Sequence, residues 1–166
     1  MPFRVGLGFD AHAFEIGRWL ILGGVEVSHH SGLAGHSDAD VLTHAIMDAL
    51  LGACGERDIG FQFPDSDPAY KDISSIVLLE KVVGIVREKG FKIANADCVI
   101  LAQEPRLSPY IDGMRERLAG ALGIAVDAIG LKATTTEGLG FTGRGEGIAA
   151  MAIVFLQSLR GEFLQT

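Results

Sequence analysis

Residues 35–60 read GHSDADVLTHAIMDALLGACGERDIG. Val41, Leu42, Ala45, Ile46, Ala49 and Leu50 recur at the spacing of one helical face, which predicts a helix anchored in a core by that stripe. Ser37 or Asp38 reads as its N-cap, with acidic residues in the first turn where the macrodipole favours them, and Gly52 or Gly55 ends it. Asp40, His44 and Asp48 are four apart and stack along one face of the helix, turned away from the buried stripe. The carboxylates are placed to orient the imidazole between them, and the histidine then needs a partner from another element.

The N-terminal segment offers that partner. Residues 3–12 alternate as a strand. Phe3, Val5, Leu7, Phe9 and Ala11 share one face, and Arg4, Gly6, Gly8, Asp10 and His12 share the other. Asp10 and His12 therefore point the same way, and Gly6 and Gly8 leave their face open to close approach. Gly6-x-Gly8-x-x-Ala11, with Glu26 beyond it, matches a loose dinucleotide fingerprint. That motif must open a helix, whereas the chain continues AFEIGRWLILGGVEV with Gly17, Gly23 and Gly24 breaking any helix. The dinucleotide reading is rejected, and Trp19 to Val27 reads as a second strand with a glycine bend.

Length and composition set limits. A chain of 166 residues fits one domain, and one this long buries roughly 70% of its unfolded surface without a staple. A net charge of −7 argues against holding nucleic acid by phosphate neutralisation, and a small phosphorylated ligand would need metal ions or local cations. Cys54 and Cys98 read as small buried apolar residues, neither a disulfide nor a zinc cluster. No apolar run reaches the ~20 residues of a membrane span. MPFRVGLGFD lacks a signal peptide's apolar core. A cytoplasmic protein is expected, or one from an equivalent, plastid-like reducing compartment.

The remaining elements follow in order. His29, His30, Ser31 and Gly32 form a polar loop. Residues 58–72 form a loop that Pro64 and Pro68 keep irregular. Residues 73–89 form a helix, with Ile76, Leu79, Val83 and Val86 in register and Gly90 as its stop. Residues 91–102 form a strand and 103–107 a linker. Ser108 caps a third helix with Pro109 at its first position, running to about Leu122. A strand at 129–135 leads into 134-TTTEGLGFTGRGEG-147. The last strand, 148–156, is apolar on both faces, so one side packs on helices and the other on something else, most economically another subunit. No repeat or linker divides the chain. The expected fold is one α/β domain over 1–166, an α+β sandwich with a mixed sheet covered on one face by about three helices.

Three constellations carry chemistry. Asp10, His12 and His44 supply one oxygen and two nitrogens, the three-ligand pattern of catalytic zinc with an open position. A hydrogen-bonded half-buried histidine and a strand-end aspartate are the bland alternative. The 58–72 loop is either a solvated acidic turn or a binding loop. The Thr/Gly segment is either a flexible hairpin or a phosphate cradle of backbone N–H groups and hydroxyls, with Arg144 as a bidentate clamp. It is not a P-loop, because no Gly-Lys-Ser/Thr follows.

GFDAHAF (8–14), GHSDADVLTHAIMDALLGA (35–53), DIGFQFPDSDPAYK (58–71), LAQEPRLSPY (101–110) and KATTTEGLGFTGRGEGIA (132–149) together resemble the 2-C-methyl-D-erythritol 2,4-cyclodiphosphate synthase family of the non-mevalonate isoprenoid pathway. The resemblance spans nearly the whole chain. It implies a homotrimer with active sites between subunits, and a phosphorus-oxygen lyase that closes a cyclic diphosphate and releases CMP. It implies a divalent metal, usually Zn2+, on Asp10, His12 and His44, and Mg2+ or Mn2+ at the diphosphate near Glu137. His36 and Thr135 would stabilise the transition state. Asp10, His12, His36 and Ser37 would meet the methylerythritol phosphate, with Asp58, Ile59, Gly60, Phe63, Pro64, Asp65, Ser66 and Asp67 at the sugar-alcohol end. Ala102, Gln103, Glu104, Pro105, Arg106, Leu107 and Ser108 would hold cytosine. Thr134, Thr135, Thr136, Glu137 and Arg144 would meet the cytidine diphosphate, with Phe141 on the substrate side. Two competing classes are a zinc-dependent phosphohydrolase, which would give linear phosphates, and a protein that binds metal and nucleotide without turnover.

Overall fold

The alternating N-terminal segment forms β1 (Phe3–Ile16), in a computed structural model that describes residues 2–159. β1 runs straight past Gly6 and Gly8 as a strand, so no dinucleotide-binding helix opens there. The expected strand from Trp19 to Val27 is instead a hairpin of β2 (Leu20–Leu22) and β3 (Val25–Val27). Gly23 and Gly24 turn it with φ of 56° and 70°, the left-handed conformation that a tight hairpin requires. The histidine loop is shorter than expected, because β4 (Ser31–Leu33) pairs with the end of β1.

α1 (Val41–Cys54) follows and ends on Gly55 in the left-handed conformation. Its N-cap is Asp40, not Ser37 or Asp38. The 58–72 segment is more regular than its prolines suggest. It holds the single-turn α2 (Ile59–Gln62), capped by Asp58, and a 3-10 turn at Pro68–Tyr70, capped by Asp67. Pro68 sits at the start of that turn, where a missing N–H costs nothing. α3 (Ser75–Glu88) and β5 (Phe91–Leu101) come next. Ser108 and Pro109 open a 3-10 turn leading into α4 (Ile111–Leu122), which Gly123 ends. β6 (Ile129–Thr134), the short α5 (Gly140–Gly143) and β7 (Gly147–Ser158) complete the fold.

The sheet order is β4-β1-β7-β5-β6. β5 and β6 are parallel and the other neighbours antiparallel, so the sheet is mixed. Its side chains sort by face. Ala150, Ala152, Val154 and Leu156 of β7 and Ala96, Cys98 and Ile100 of β5 are buried in one core with Leu42, Ile46, Leu50, Leu79, Val83, Met114 and Leu118 of the three long helices. Cys98 is a buried thiol as expected, while Cys54 is half-buried.

The opposite face is bare. Val5 is 64% exposed, Leu7 60% and Ile153 50%, with Phe3, Phe9 and Met151 beside them. Val5 pairs with Phe155, Leu7 with Ile153 and Phe9 with Met151, so this apolar surface is continuous across the two central strands. The two-sided apolar character expected of β7 is therefore real, and one side has no cover among the described residues.

Glycine sets the distance between sheet and helix. A Cβ on Gly6 would lie 1.8 Å from the Ala49 carbonyl oxygen, and one on Gly8 would lie 1.9 Å from that of Ala45. β1 and α1 thus touch backbone to backbone. That contact brings the strand residues Asp10 and His12 within reach of His44, one helical turn before Asp48.

Candidate metal centre

His12 Nε2 lies 2.8 Å from Asp10 Oδ2, and His44 Nδ1 lies 3.0 Å from the same oxygen. The two ring nitrogens are 3.2 Å apart. One ligand atom from each residue falls within 4.8 Å of the others. The strand supplies two donors two residues apart and the helix supplies the third.

Their outer partners decide what these atoms present. His12 Nδ1 lies 2.6 Å from the Ala34 carbonyl oxygen. A carbonyl only accepts, so Nδ1 carries the proton and Nε2 of the neutral ring keeps its lone pair. His44 Nε2 lies 2.9 Å from Ser75 Oγ and 3.2 Å from Ser37 Oγ. Ser75 Oγ donates its own proton to Asp38 Oδ1, so it accepts from His44 Nε2. His44 Nδ1 then also faces inward with a lone pair. Two imine nitrogens and a carboxylate oxygen aimed at one point repel one another unless a cation lies among them, and the donor set fits zinc or a similar divalent ion.

The charges agree. Burial pushes the Asp10 carboxyl up, but hydrogen bonds and charge from His12 and His44 outweigh it and hold the group far below the usual carboxylate range. Burial pulls His12 down, but Asp10 and the Ala34 carbonyl raise it overall. A metal must displace that proton. Affinity is therefore expected to be level above the raised His12 value, which exceeds the ordinary ~6.5, and to fall roughly tenfold per pH unit below it. Chelator competition at a series of pH values measures this, and a pH-independent affinity from 5 to 8 contradicts it.

The helix carboxylates do not orient His44, contrary to the four-residue spacing. Asp40 is fully buried and accepts from Gly23 N, Gly24 N, Thr43 N and Thr43 Oγ1. It ties the β2–β3 turn to the start of α1. Burial raises its pKa. Asp40→Asn turns an amide donor toward these donors and is expected to cost about 1–3 kcal/mol in urea unfolding. Asp48 accepts from Ile59 N at 2.9 Å and holds the start of α2. The orienting role falls to Ala34, Ser37 and Ser75. Asp38, expected as a cap for α1, accepts from Ser75 N at 3.0 Å and serves the start of α3.

A cavity of about 210 Å³ opens over the triad, lined by Asp10, His12, His36, Ser37 and His44 together with Ile59, Gly60, Phe63 and Asp65. Gly35, Tyr70 and Leu78 also line it and escaped the sequence reading. His36 Nε2 is buried with no hydrogen-bond partner among the described residues. Ser37 Oγ is taken up by His44 and by Ala39 N. Pro64, Ser66 and Asp67 belong to the adjoining turn but do not line the cavity.

The other expected residues lie elsewhere. Ala102, Gln103, Pro105, Arg106, Leu107 and Ser108 line a second cavity of about 540 Å³ with Ala133, Thr134 and Thr135. Glu104 is in the same turn without lining it. Thr136 and Phe141 border a third hollow with Phe9, Leu101 and Leu139. Glu137 holds a left-handed φ of 52° and accepts from Thr135 Oγ1 at 2.7 Å. Arg144 is engaged with Glu146, through Nε at 2.7 Å and Nη2 at 3.2 Å. The metal cavity and the second cavity share no lining residue, so one chain does not bring His36 and Thr135 into a common hollow. Among the described residues no helix is long and apolar enough to cross a membrane.

A mixed-sheet α/β fold with a two-histidine, one-carboxylate centre on its strand–helix seam defines a protein built to hold a divalent cation beside an open cavity. Residues 3–157 match the YgbB family, and the chain belongs to it. It is 60% identical over 153 residues to the 2-C-methyl-D-erythritol 2,4-cyclodiphosphate synthase of Moorella thermoacetica, covering 92% of this chain and 94% of that protein. It is 57% identical over 155 residues to the enzyme of the same name from Bacillus cereus, covering 93% and 98%. Among solved structures, the IspF protein of Plasmodium falciparum in complex with CDP superposes with a TM-score of 0.82 at 30% identity, covering 94% of this chain and 96% of that one.

Proposed function

We propose that the chain converts 4-diphosphocytidyl-2-C-methyl-D-erythritol 2-phosphate to 2-C-methyl-D-erythritol 2,4-cyclodiphosphate with release of CMP. The supporting observation is the convergence of Asp10, His12 and His44 lone pairs in a chain of this family. An oxygen of the substrate's 2-phosphate forms a bond to the β-phosphorus. The bond from that phosphorus to the oxygen bridging the α-phosphate breaks, and its electron pair leaves with CMP. The nucleophile is already an anion, so no strong base is required. The barrier is charge repulsion and the geometry of ring closure.

The residues divide this work. Asp10, His12 and His44 hold Zn2+, which when bound polarises phosphoryl oxygen and offsets its charge. His36, whose Nε2 lacks a partner among the described residues, donates to a phosphate oxygen. The Ala102–Ser108 turn and Thr134 to Thr136 take the cytidine end, and Asp58 to Asp67 enclose the polyol. Glu137 offers a carboxylate to Mg2+ or Mn2+, ions that take one or two carboxylates beside substrate phosphates. Arg144 exchanges Glu146 for a phosphate.

The metal cavity of one chain is below the ~300–1,000 Å³ usual for ligand sites, and the nucleotide cavity lies apart from it. Both facts favour a site completed by a second copy. The bare apolar sheet face gives copies a reason to associate, and a homotrimer with shared sites accounts for both features. Sedimentation is expected to give three times the chain mass, and a monomeric mass removes the shared-site account.

Phosphorus NMR with the cytidyl substrate tests the reaction. CMP and a cyclic diphosphate, both lost on chelation, are the expected products. CMP with a linear product identifies a hydrolase instead, and an unchanged spectrum from metal-loaded protein leaves only binding.

A further inference from the structure

We infer that Arg18 is a positioning residue for the metal centre, clamping the 34–37 loop that fixes both histidine ligands and presents His36. Its Nη1 donates to the Gly35 carbonyl oxygen at 2.6 Å and its Nη2 to that of Ser37 at 2.5 Å. The two carbonyls flank His36. The loop between them has no strand or helix of its own. Backbone bonds from Ala34 N to the Ala13 carbonyl oxygen at 2.8 Å and from Asp72 N to that of His36 at 2.9 Å hold it elsewhere, and Arg18 takes the two carbonyls they leave.

That loop is the outer support of both ligands. Ala34, one residue before the clamped pair, accepts from His12 Nδ1. Ser37, inside it, places Oγ against His44 Nε2. A shift of the loop therefore reaches both imidazoles and His36 together. Gly35 makes the fit possible, because a Cβ there would lie 2.9 Å from Ala39 Cβ and 3.4 Å from His12 Cε1.

The fold holds Arg18 in place. A Cβ on Gly32 would lie 2.3 Å from the Trp19 carbonyl oxygen and 2.8 Å from the Arg18 carbonyl carbon, so β4 packs directly on the arginine's own backbone. Glu15 Oε2, 3.7 Å from Nη1, adds a weak orienting charge. A planar guanidinium spans two carbonyls at once, whereas an ammonium is a single point charge without that fork. The requirement is for the fork and not for positive charge. No other side-chain group in the described residues donates to either carbonyl.

This inference rests on the proposed cyclisation only for its kinetic arm, and the metal arm stands without it. The test uses the whole chain with Arg18→Ala and Arg18→Lys. Metal affinity is read with Zn2+, geometry from the visible absorption of the Co2+-loaded protein, and kcat and KM from CMP release. Loss of a direct partner of a ligating histidine costs ~10–100-fold. Arg18 acts through two of them, so its loss is expected to weaken metal affinity and lower kcat by about 10-fold, the lower end of that range, with KM little changed and the Co2+ bands altered. Lysine is expected to recover little of either loss. Thermal melting of Arg18→Lys, which keeps stem and charge, is expected to stay near that of the parent chain.

Parent-like metal affinity and Co2+ bands in both variants overturn the inference, whether or not cyclisation is seen. A rise in KM with kcat and metal affinity unchanged also overturns it, and places Arg18 on the substrate. If the parent chain binds metal but releases no CMP, the proposed reaction fails while the metal arm still judges Arg18.

Discussion

Alanine in place of His44 is expected to abolish tight metal binding and, with it, cyclisation, while the chain stays folded. The ring is 8% exposed and faces the cavity, so its removal opens space beside solvent and not a void in the core. Three donors converge on one point, and His44 is the only one supplied by the helix. Zinc sites are worth ~10–16 kcal/mol in all, so one ligand carries ~3–4 kcal/mol, or about 10²–10³ in affinity. Metal content after purification and chelator competition measure the loss. Circular dichroism checks the fold. Full metal occupancy in His44→Ala would sink the ligand assignment. The variant also frees Ser37 and Ser75 from the imidazole, and Ser75 keeps its bond to Asp38, which limits the damage to the start of α3.

Gly8→Ala is expected to destabilise the fold by about 3 kcal/mol or more and to weaken metal binding at the same time. A single methyl there would meet the Ala45 carbonyl oxygen at 1.9 Å and the Ala49 nitrogen at 2.7 Å. Both atoms are backbone, so no rotamer relieves the clash and β1 must move away from α1. Overpacking of this kind costs ~1–3 kcal/mol where side chains give way, and here none can. The same movement separates Asp10 and His12 from His44. Gly52→Ala, in the helix that Gly8 packs against, provides the contrast. Nothing lies within 4 Å of its added Cβ, and replacing a glycine in the last turn of α1 is expected to stabilise by up to about 0.5–1 kcal/mol. Urea unfolding of the two variants beside the parent, with metal affinity on each, decides the point. A Gly8→Ala protein as stable as the parent would show that strand and helix have room to spare.

The amino-acid sequence was most informative where the physics is local. Apolar spacing over Val41 to Leu50 defines α1, and alternation over Phe3 to Ala11 defines β1 and its two faces. Glycines at 90 and 123 stop helices as expected, and Gly6 and Gly8 mark a close approach before any partner is known. Asp10, His12 and His44 were legible as a converging set of candidate ligands because strand and helix periods state which way each points. The exposed apolar sheet face was foreshadowed by a last strand apolar on both faces.

Local reasoning failed at Asp40 and Asp48. The four-residue rule applies to helical residues, and Asp40 sits outside the helix at φ −68°, ψ 89°, where it caps Thr43 N and takes up Gly23 and Gly24. Asp48 is helical and correctly placed four residues after His44, but it is taken up by Ile59 N, and the supports of the imidazoles are Ala34, Ser37 and Ser75. Ser75 is 31 residues from His44, and Ala34 is 22 from His12. Hydrogen bonds over such separations leave no periodic trace, and a serine or a backbone carbonyl carries no sign of its partner. Arg18 escaped for the same reason.

By itself, then, the sequence determined the long strands and helices, which of their faces are apolar, and which side chains are the candidate metal donors, because these follow from backbone period and residue chemistry. Only the tertiary structure decided which tautomer each histidine holds, which loop supports them, and that the cavity over Asp10, His12 and His44 lies apart from the one lined by the 102–108 turn. Those depend on close packing between segments distant along the chain, where an ångström of approach, set by a missing Cβ at Gly8 or Gly35, determines whether three donors meet.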